Sequence, residues 1–336
     1  MAGQPAHRQR PGALPVRRLA GHASMRSYWR VGVPPASLVV MVMPPGAGPE
    51  EVTKGGRPAA DPFVDVQRYL ASIGVRVPAI RAFEEAEGLM VLEDLGDDML
   101  ETRLLAGDDR AALYQAAVDQ LARLRAAAEA RPTGCLAFTR AFDEDLYRWE
   151  LHHFREWLLE AWKGARLGEA EQAELGEWFD RISASLAAEP RGFTHRDYQS
   201  RNLMVLPGGA QAVIDFQDAL LGPRQYDLVA LLRDSYVELP QPFIEAMLRR
   251  YLTRLAEAGG PALEYGPFRE TFDLLTVQRK LKDAGRFVFI DRVRKNPGFL
   301  VSIPSSLKYV REAFQRRPDL APLQALLARH VPELGA

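Results

Sequence analysis

Apolar positions in the first hundred residues come in short runs rather than at helical spacing. Ser27 to Val33 and Leu38 to Met43 are apolar or aromatic stretches separated by a Gly-Val-Pro-Pro turn, which predicts a hairpin. Residues 44–58 are rich in Gly and Pro and read as a loop. Asp61-Pro62 then supplies an N-cap followed by proline at the first helical position, and Gly74 supplies a stop. Between them Phe63, Val66, Tyr69, Leu70 and Ile73 recur at helical spacing. A further strand is predicted at Gly88 to Glu93, ending in Asp94-Leu95-Gly96.

Beyond Gly96 the pattern changes to long amphipathic helices, near 108–129, 143–163, 169–188, 241–258, 265–290 and 317–331. Only residues 190–216 interrupt it, with strand-like pieces around Phe193, Leu203 to Leu206 and Ala212 to Phe216. Pro207-Gly208-Gly209 joins the last two as a hairpin turn. The expectation is an α+β, bilobal chain: a β-rich lobe over 1–95, a hinge at about 93–97, and a larger helical lobe over 98–336. No internal repeat is visible.

Composition narrows the class. With 336 residues, 47% hydrophobic and 26% charged, the chain is neither disordered nor collagen-like, and suits one large or two small globular domains. The longest purely aliphatic run, Leu38 to Met43, is far short of the roughly 20 residues of a spanning helix. The first thirty residues lack the apolar core of a signal peptide, and the single Cys135 cannot form an internal disulfide. A cytoplasmic, monomeric protein that engages no membrane is expected. The net charge of −1 gives no whole-molecule attraction to nucleic acid. That small number hides segregation: residues 1–49 hold six Arg and no acid, and residues 230–336 hold 17 bases against 12 acids. Only six of the 43 basic residues are lysine, none before Lys54. Arg-rich codon usage accounts for this unless a site demands lysine.

The chemistry concentrates in Phe193-Thr-His195-Arg196-Asp197-Tyr-Gln-Ser-Arg201-Asn202, followed by Val213-Ile214-Asp215-Phe216. An Asp five residues before an Asn, with a second Asp on the next hairpin, is a kinase pattern. Asp197 on a loop can orient an attacking hydroxyl and accept its proton. Asn202 and Asp215 present hard oxygen ligands to a Mg²⁺ that bridges ATP phosphates. His195 reads as an orienting residue rather than a base. Eleven residues separate Asp215 from Asp227, too few for an activation segment with a phosphosite. A small-molecule acceptor is therefore favoured over a protein.

These residues, with Gly222-Pro-Arg-Gln-Tyr226-Asp227-Leu228, resemble the aminoglycoside phosphotransferase superfamily of small-molecule kinases, whose fold is protein-kinase-like. Within it the chain looks most like the bacterial cell-wall-recycling kinases that phosphorylate the anomeric hydroxyl of N-acetylmuramate and N-acetylglucosamine. Ala23-Ser-Met-Arg26-Ser-Tyr28-Trp-Arg30-Val, Leu92-Glu-Asp-Leu-Gly96, His195 to Asn202 and Gln278-Arg-Lys-Leu-Lys-Asp-Ala-Gly285-Arg-Phe carry that part of the match.

The resemblance implies ATP and Mg²⁺ as cofactors, Asp197 as catalytic base, Asn202 and Asp215 as metal ligands, and Asp227 as a structural acceptor of loop N–H groups. It implies a phosphate-covering loop over Gly21 to Ser27, including Ser24, and a hinge at Glu93, Asp94 and Leu95 that meets adenine. Leu92 and Leu203 would sandwich the ring, although a core position fits Leu203 equally. Kinases normally carry a lysine on the third strand, near Leu38 to Met43, and this chain has Val and Met there. The recycling kinases resemble it in that respect, and Arg26 or Arg30 is expected to supply part of the missing charge.

For the acceptor, Arg279, Lys280, Lys282, Arg286, Arg292, Arg294 and Lys295 stand against only Asp283 and Asp291 in one stretch. A solvated helix face explains this as well as a site does. The sign suits a neutral or anionic sugar better than a cationic aminoglycoside; a choline-like alcohol is disfavoured less strongly, since Trp149, Trp157, Trp162 and Tyr236 offer aromatics for the cage it needs. Arg201, Gln217, Asp218 and Arg279 are candidate substrate or catalytic contacts, with salt-bridge roles standing equally. A non-catalytic pseudokinase is the remaining alternative, although base and metal ligands are all present.

Overall fold

Valine and aromatic residues near the N-terminus pair into one antiparallel sheet in the computed structural model, which describes residues 14–19, 26–43 and 61–335. Its strands are Val16–Arg18 (β1), Ser27–Val31 (β2), Leu38–Val42 (β3), Ile80–Glu84 (β4) and Leu89–Glu93 (β5), in the order β1-β2-β3-β5-β4. The predicted hairpin is β2–β3, with Arg30 opposite Val39 and Trp29 opposite Val40. Met41 and Met90 face each other across β3 and β5 and are fully buried. Val16-Arg-Arg and Ile80-Arg-Ala-Phe-Glu carry no apolar run, so the pattern does not predict β1 or β4. Backbone pairing with a neighbour makes them strands. The predicted 44–58 loop lies outside the described residues.

The sheet belongs to the smaller of two compact units, Met1–Ala59 with Val77–Asp97; the other comprises Ala60–Arg76 with Asp98–Ala336. Helix Pro62–Ser72 (α1) begins as its sequence dictates: Asp61 Oδ1 accepts from Phe63 N at 2.9 Å and Val64 N at 3.1 Å. A lobe boundary at residue 95 would give α1 to the sheet. Its apolar face instead joins the larger unit, Phe63 lying 4.8 Å from Phe216 and Tyr69 packing edge-on against Phe138. Asp65 accepts Leu136 N at 2.6 Å, and Arg76 O accepts Val213 N at 2.8 Å, so this segment is also hydrogen-bonded there.

The larger unit continues with helices Leu100–Leu105 (α2), Arg110–Ala130 (α3), Glu144–Phe154 (α4) and Glu169–Ala187 (α5). Two short hairpin-like pairs follow: Arg191–Thr194 (β6) with Leu220–Pro223 (β9), and Leu203–Val205 (β7) with Gln211–Val213 (β8). Gly208 and Gly209 make the predicted β7–β8 turn at φ +84° and +85°, which side-chain-bearing residues rarely adopt. Tyr226–Leu232 (α6), Gln241–Glu257 (α7), Tyr265–Arg294 (α8), Ile303–Arg316 (α9) and Ala321–Ala328 (α10) complete the chain.

Three predictions need correction. The 143–163 helix is α-helical only to Phe154; over Arg155–Trp162 it widens to a π-helix, with Lys163 N donating to Leu158 O at 2.9 Å. The helix predicted at 317–331 is displaced: Pro318 and Pro322 interrupt it, and the longer helix is α9. Its Ile303, Leu307, Val310 and Phe314 repeat at helical spacing with Pro304 in the first turn. Helix α8 runs four residues beyond the predicted end, to a left-handed Lys295. Among the described residues, no helix is long and apolar enough to cross a membrane.

Candidate active site

The loop from His195 to Asn202 leaves β6 and enters β7, and almost every residue in it is anchored. Asp227, at the start of α6, accepts His195 N at 2.8 Å and Arg196 N at 3.0 Å. The buried His195 ring bridges the other way: Nε2 donates to Ile214 O at 3.0 Å, and Nδ1 accepts Asp197 N at 3.2 Å. Both nitrogens are satisfied only by the neutral Nε2–H tautomer, and burial pushes the ring's pKa down, in keeping with that form. Tyr198 OH donates toward Ala117 O and Gln120 of α3. Ser200 gives both N–H and hydroxyl to Asp234 Oδ2, at 2.9 and 2.5 Å.

Strain accompanies these anchors. Arg196 and Asp215 sit at φ +79° and +63°, two of the three positive-φ non-glycine residues described. Each such conformation costs on the order of 1–3 kcal/mol and persists only where surroundings enforce it. At Arg196 the enforcement is visible: its N–H is fixed by Asp227, and its guanidinium lies 3.5 Å from the fully buried Glu150, which also accepts Gln278 Nε2 at 2.7 Å.

The loop brings Asp197, Asn202 and Asp215 into one neighbourhood. Asn202 Nδ2 donates to Asp197 O at 2.8 Å, which turns its Oδ1 to the opposite side of the amide. Leu203 pairs with Val213 and Ile214 N donates to Asn202 O, so Asp215 lies one residue beyond Asn202's partner on the adjoining strand. Asp215 Oδ1 accepts Gln217 Nε2 at 3.0 Å, and the same amide reaches Asp218 Oδ2 at 3.1 Å. Arg140 holds the backbone behind them through Gln217 O and Ala219 O. Two hard oxygen donors on neighbouring strands fit a Mg²⁺ that takes its remaining ligands from phosphates and water. Among the described residues no group of three His, Cys, Asp or Glu forms an all-protein metal cage, as such a shared site requires none.

Helix α8 supplies the strongest contact to Asp197. Arg279, almost fully buried, donates from Nη2 to Asp197 Oδ1 at 2.9 Å and from Nη1 to Arg196 O at 2.6 Å. Asp197 keeps 39% of its side chain exposed. Burial raises its carboxyl pKa, but Arg279, Lys282 and Arg196 outweigh burial and hold it at about 2. The carboxylate is thus ionised at any physiological pH. Of the two roles open to Arg279, substrate contact or salt bridge, this geometry is the salt bridge: its Nη1 and Nη2 are committed to the loop.

Arg201 is also committed elsewhere. It grips Glu101 through two bonds of 2.8 and 2.9 Å and stacks 3.5 Å from the Tyr236 ring centroid, so it braces the loop's far end rather than facing Asp197's carboxylate. Leu203 is fully buried in the core of its unit.

In the smaller unit, Arg30 differs most from expectation. Nε and Nη2 clamp Asp94 at 2.5 and 2.8 Å, Nη1 reaches Asp97 at 2.6 Å, and Nη2 also meets Gly96 O. All its nitrogens are engaged on its own unit, which corrects the expectation that Arg30 supplies part of the charge of the missing lysine. Ser37 Oγ and Gly96 N complete the cradle around Asp94; burial alone would raise this carboxyl's pKa, and these donors bring it below the usual range. Glu93 N donates to Ala79 O and its carboxylate accepts Ala79 N, so its own amide is not available to a ligand. Leu95 is half-buried and Arg26 lies just before β2. Ser24 and most of the predicted phosphate-covering loop fall outside the described residues.

Sequence reasoning missed Asp234, Glu150 and the Arg279–Asp197 contact. Asp234 leaves a signal: an Arg-Asp pair directly after the apolar run Leu228-Val-Ala-Leu-Leu232 is a buried charge that needs a partner.

The fold aligns with small-molecule kinases. A choline kinase from Cryptosporidium parvum superposes with a TM-score of 0.61, covering 95% of this chain and 93% of that one at 12% identity. An ADP-bound aminoglycoside phosphotransferase gives 0.58 over 90% and 95%, also at 12%. At that identity they establish the fold alone, α+β and protein-kinase-like as expected. The profile of the phosphotransferase enzyme family matches residues 15–264, and the chain belongs to that family. Among curated relatives, the N-acetylmuramate/N-acetylglucosamine kinase of Pseudomonas aeruginosa is 37% identical over 310 residues, 91% of this chain and 86% of its own. The protein of the same name from Caulobacter vibrioides is 32% identical over 94% and 93%.

Proposed function

We propose that the protein is an ATP- and Mg²⁺-dependent kinase that phosphorylates the anomeric hydroxyl of an N-acetyl amino sugar, N-acetylmuramate, N-acetylglucosamine or both. The observation that carries the reading is the Asp197–Asn202–Asp215 constellation locked by Asp227, in a chain whose relatives bear that kinase name over nearly their whole length.

The residues divide the work. Asp197 Oδ1 is held by Arg279, which leaves Oδ2 to accept the acceptor's hydroxyl proton as its oxygen bonds to the γ-phosphorus and the bond to ADP breaks. An anomeric hydroxyl is more acidic than an ordinary alcohol, so a carboxylate with a low pKa suffices as base, and positioning carries most of the rate. Asn202 Oδ1 and Asp215 would hold Mg²⁺, which would supply positive charge to offset that of the phosphates. Asp227 and His195 keep the loop backbone in place while this occurs. The backbone around Asp94 and Leu95 is the proposed adenine contact.

A transfer assay tests the reading. With MgATP and each of N-acetylmuramate, N-acetylglucosamine, kanamycin and choline, ADP release is expected with the N-acetyl sugars. Turnover of kanamycin or choline with no turnover of either sugar would overturn it.

A further inference from the structure

Cations on a buried helix face need anions to meet them, because an unmatched buried charge is costly. Helix α8 places Arg279, Lys280, Lys282 and Asp283 within five positions beside the loop. Arg279 is spent on Asp197. Lys280 Nζ lies 2.6 Å from Asp283 Oδ2, and Lys282 Nζ shares the same carboxylate, 3.1 Å from Oδ1. Three cations thus meet two carboxylates. The next acid, Asp234, is held by Ser200 and Tyr236 N, and its charge acts on Lys280. Glu150 is bonded to Arg196 and Gln278, and its charge also acts on Lys282.

Of the three cations, Lys282 is the one that reaches outward: 12% of its side chain is exposed, against 2% each for Arg279 and Lys280. Lys282 is three residues from Arg279 and so shares the helix face from which Arg279 reaches Asp197. Its charge stands second only to that of Arg279 in holding Asp197 low, which agrees with this placement. An ammonium offers three donors, and Asp283 occupies one direction.

We propose that Lys282 receives the carboxylate of an anionic acceptor, and so distinguishes an N-acetyl amino sugar bearing a lactyl ether from the same sugar without one. The inference rests on the function proposed above. A substrate carboxylate close to Asp197 and to triphosphate is repelled by both. A charge-assisted bond to Lys282 offsets that repulsion, whereas Arg279 could do so only by releasing Asp197.

The test compares kcat/KM for N-acetylmuramate and N-acetylglucosamine in the wild type, Lys282→Gln and Lys282→Arg. In Lys282→Gln the ratio of the two is expected to fall roughly 10- to 100-fold, chiefly through the KM for N-acetylmuramate. Lys282→Arg should restore most of it. A ratio within twofold of wild type in Lys282→Gln overturns the inference while leaving the kinase reading intact. Wild-type enzyme that phosphorylates neither sugar overturns both. Should Lys282→Gln fail to fold, wild type with the methyl ester of the lactyl group supplies the same comparison. The ester should lose the advantage of the free acid, and equal KM values for acid and ester overturn the assignment.

Discussion

Arg279 and Asp197 form a buried-to-exposed ion pair, Nη2 to Oδ1 at 2.9 Å, that ties the middle of α8 to the loop carrying the proposed base. Because the same guanidinium holds Arg196 O, it fixes both the backbone and the rotamer of the residue beside it. Arg279→Gln is expected to lower kcat by about 100-fold, the scale of an ångström misplacement, with the nucleotide KM changed less than about threefold. Steady-state kinetics of Arg279→Gln and Arg279→Lys check this. A large KM effect with kcat preserved would mark Arg279 as a binding residue instead.

Asp197→Asn and Asp215→Ala should separate base from metal site. Removing the base is expected to cost about 10²–10⁴-fold in kcat with nucleotide affinity little changed. Asp215→Ala should instead abolish Mg²⁺-dependent nucleotide binding, read by calorimetry with and without Mg²⁺. A mild kcat effect in Asp197→Asn would refute the base assignment.

Arg30 illustrates a role that local sequence could not decide. Its partners Asp94 and Asp97 are more than sixty residues away, and only the sheet brings them together. Arg30→Ala leaves a buried Asp94 without its main partner and should cost about 3–5 kcal/mol in the sheet's stability. Since Asp94 has a depressed pKa when folded, its stabilisation is complete above the unfolded carboxylate value of about 3.9 and is lost as pH falls through the lower folded value. Hydrogen exchange of β2 and β3 amides should therefore show a wild-type advantage that is constant near neutrality and shrinks below about pH 4. An advantage that grows on acidification would contradict the pairing.

Gly285 permits the close approach of α8 to α4. A Cβ there would lie 2.7 Å from Phe154 Cα and 3.0 Å from His153 O, both backbone atoms that cannot give way locally. Gly285→Ala gains about 1 kcal/mol of helix propensity, yet overpacking of this kind costs about 1–3 kcal/mol. A lower melting temperature is expected, and an unchanged or raised one would show that the helices can shift apart.

What the sequence discloses follows from how local each determinant is. The Asp61-Pro62 helix start, the β2–β3 hairpin and the Gly208-Gly209 turn are set by neighbouring residues and are legible. So is the loop from His195 to Asn202, because its chemistry needs fixed residue types at fixed spacing. The placement of α1 on the larger unit is not legible, since an amphipathic stripe does not say which apolar surface will cover it. Nor is the state of the basic α8 stretch. Identical charges read as a solvated face or a site, and packing divides them: Arg279 and Lys280 are buried at the loop, while Arg292 and Lys295 are exposed.

The position of the transferred phosphate tests the central claim most directly. Phosphorus-31 and proton NMR of the product from MgATP and N-acetylglucosamine or N-acetylmuramate should show phosphate on the anomeric oxygen, with loss of the reducing end. Phosphate on any other hydroxyl, or no sugar phosphate at all, would contradict it.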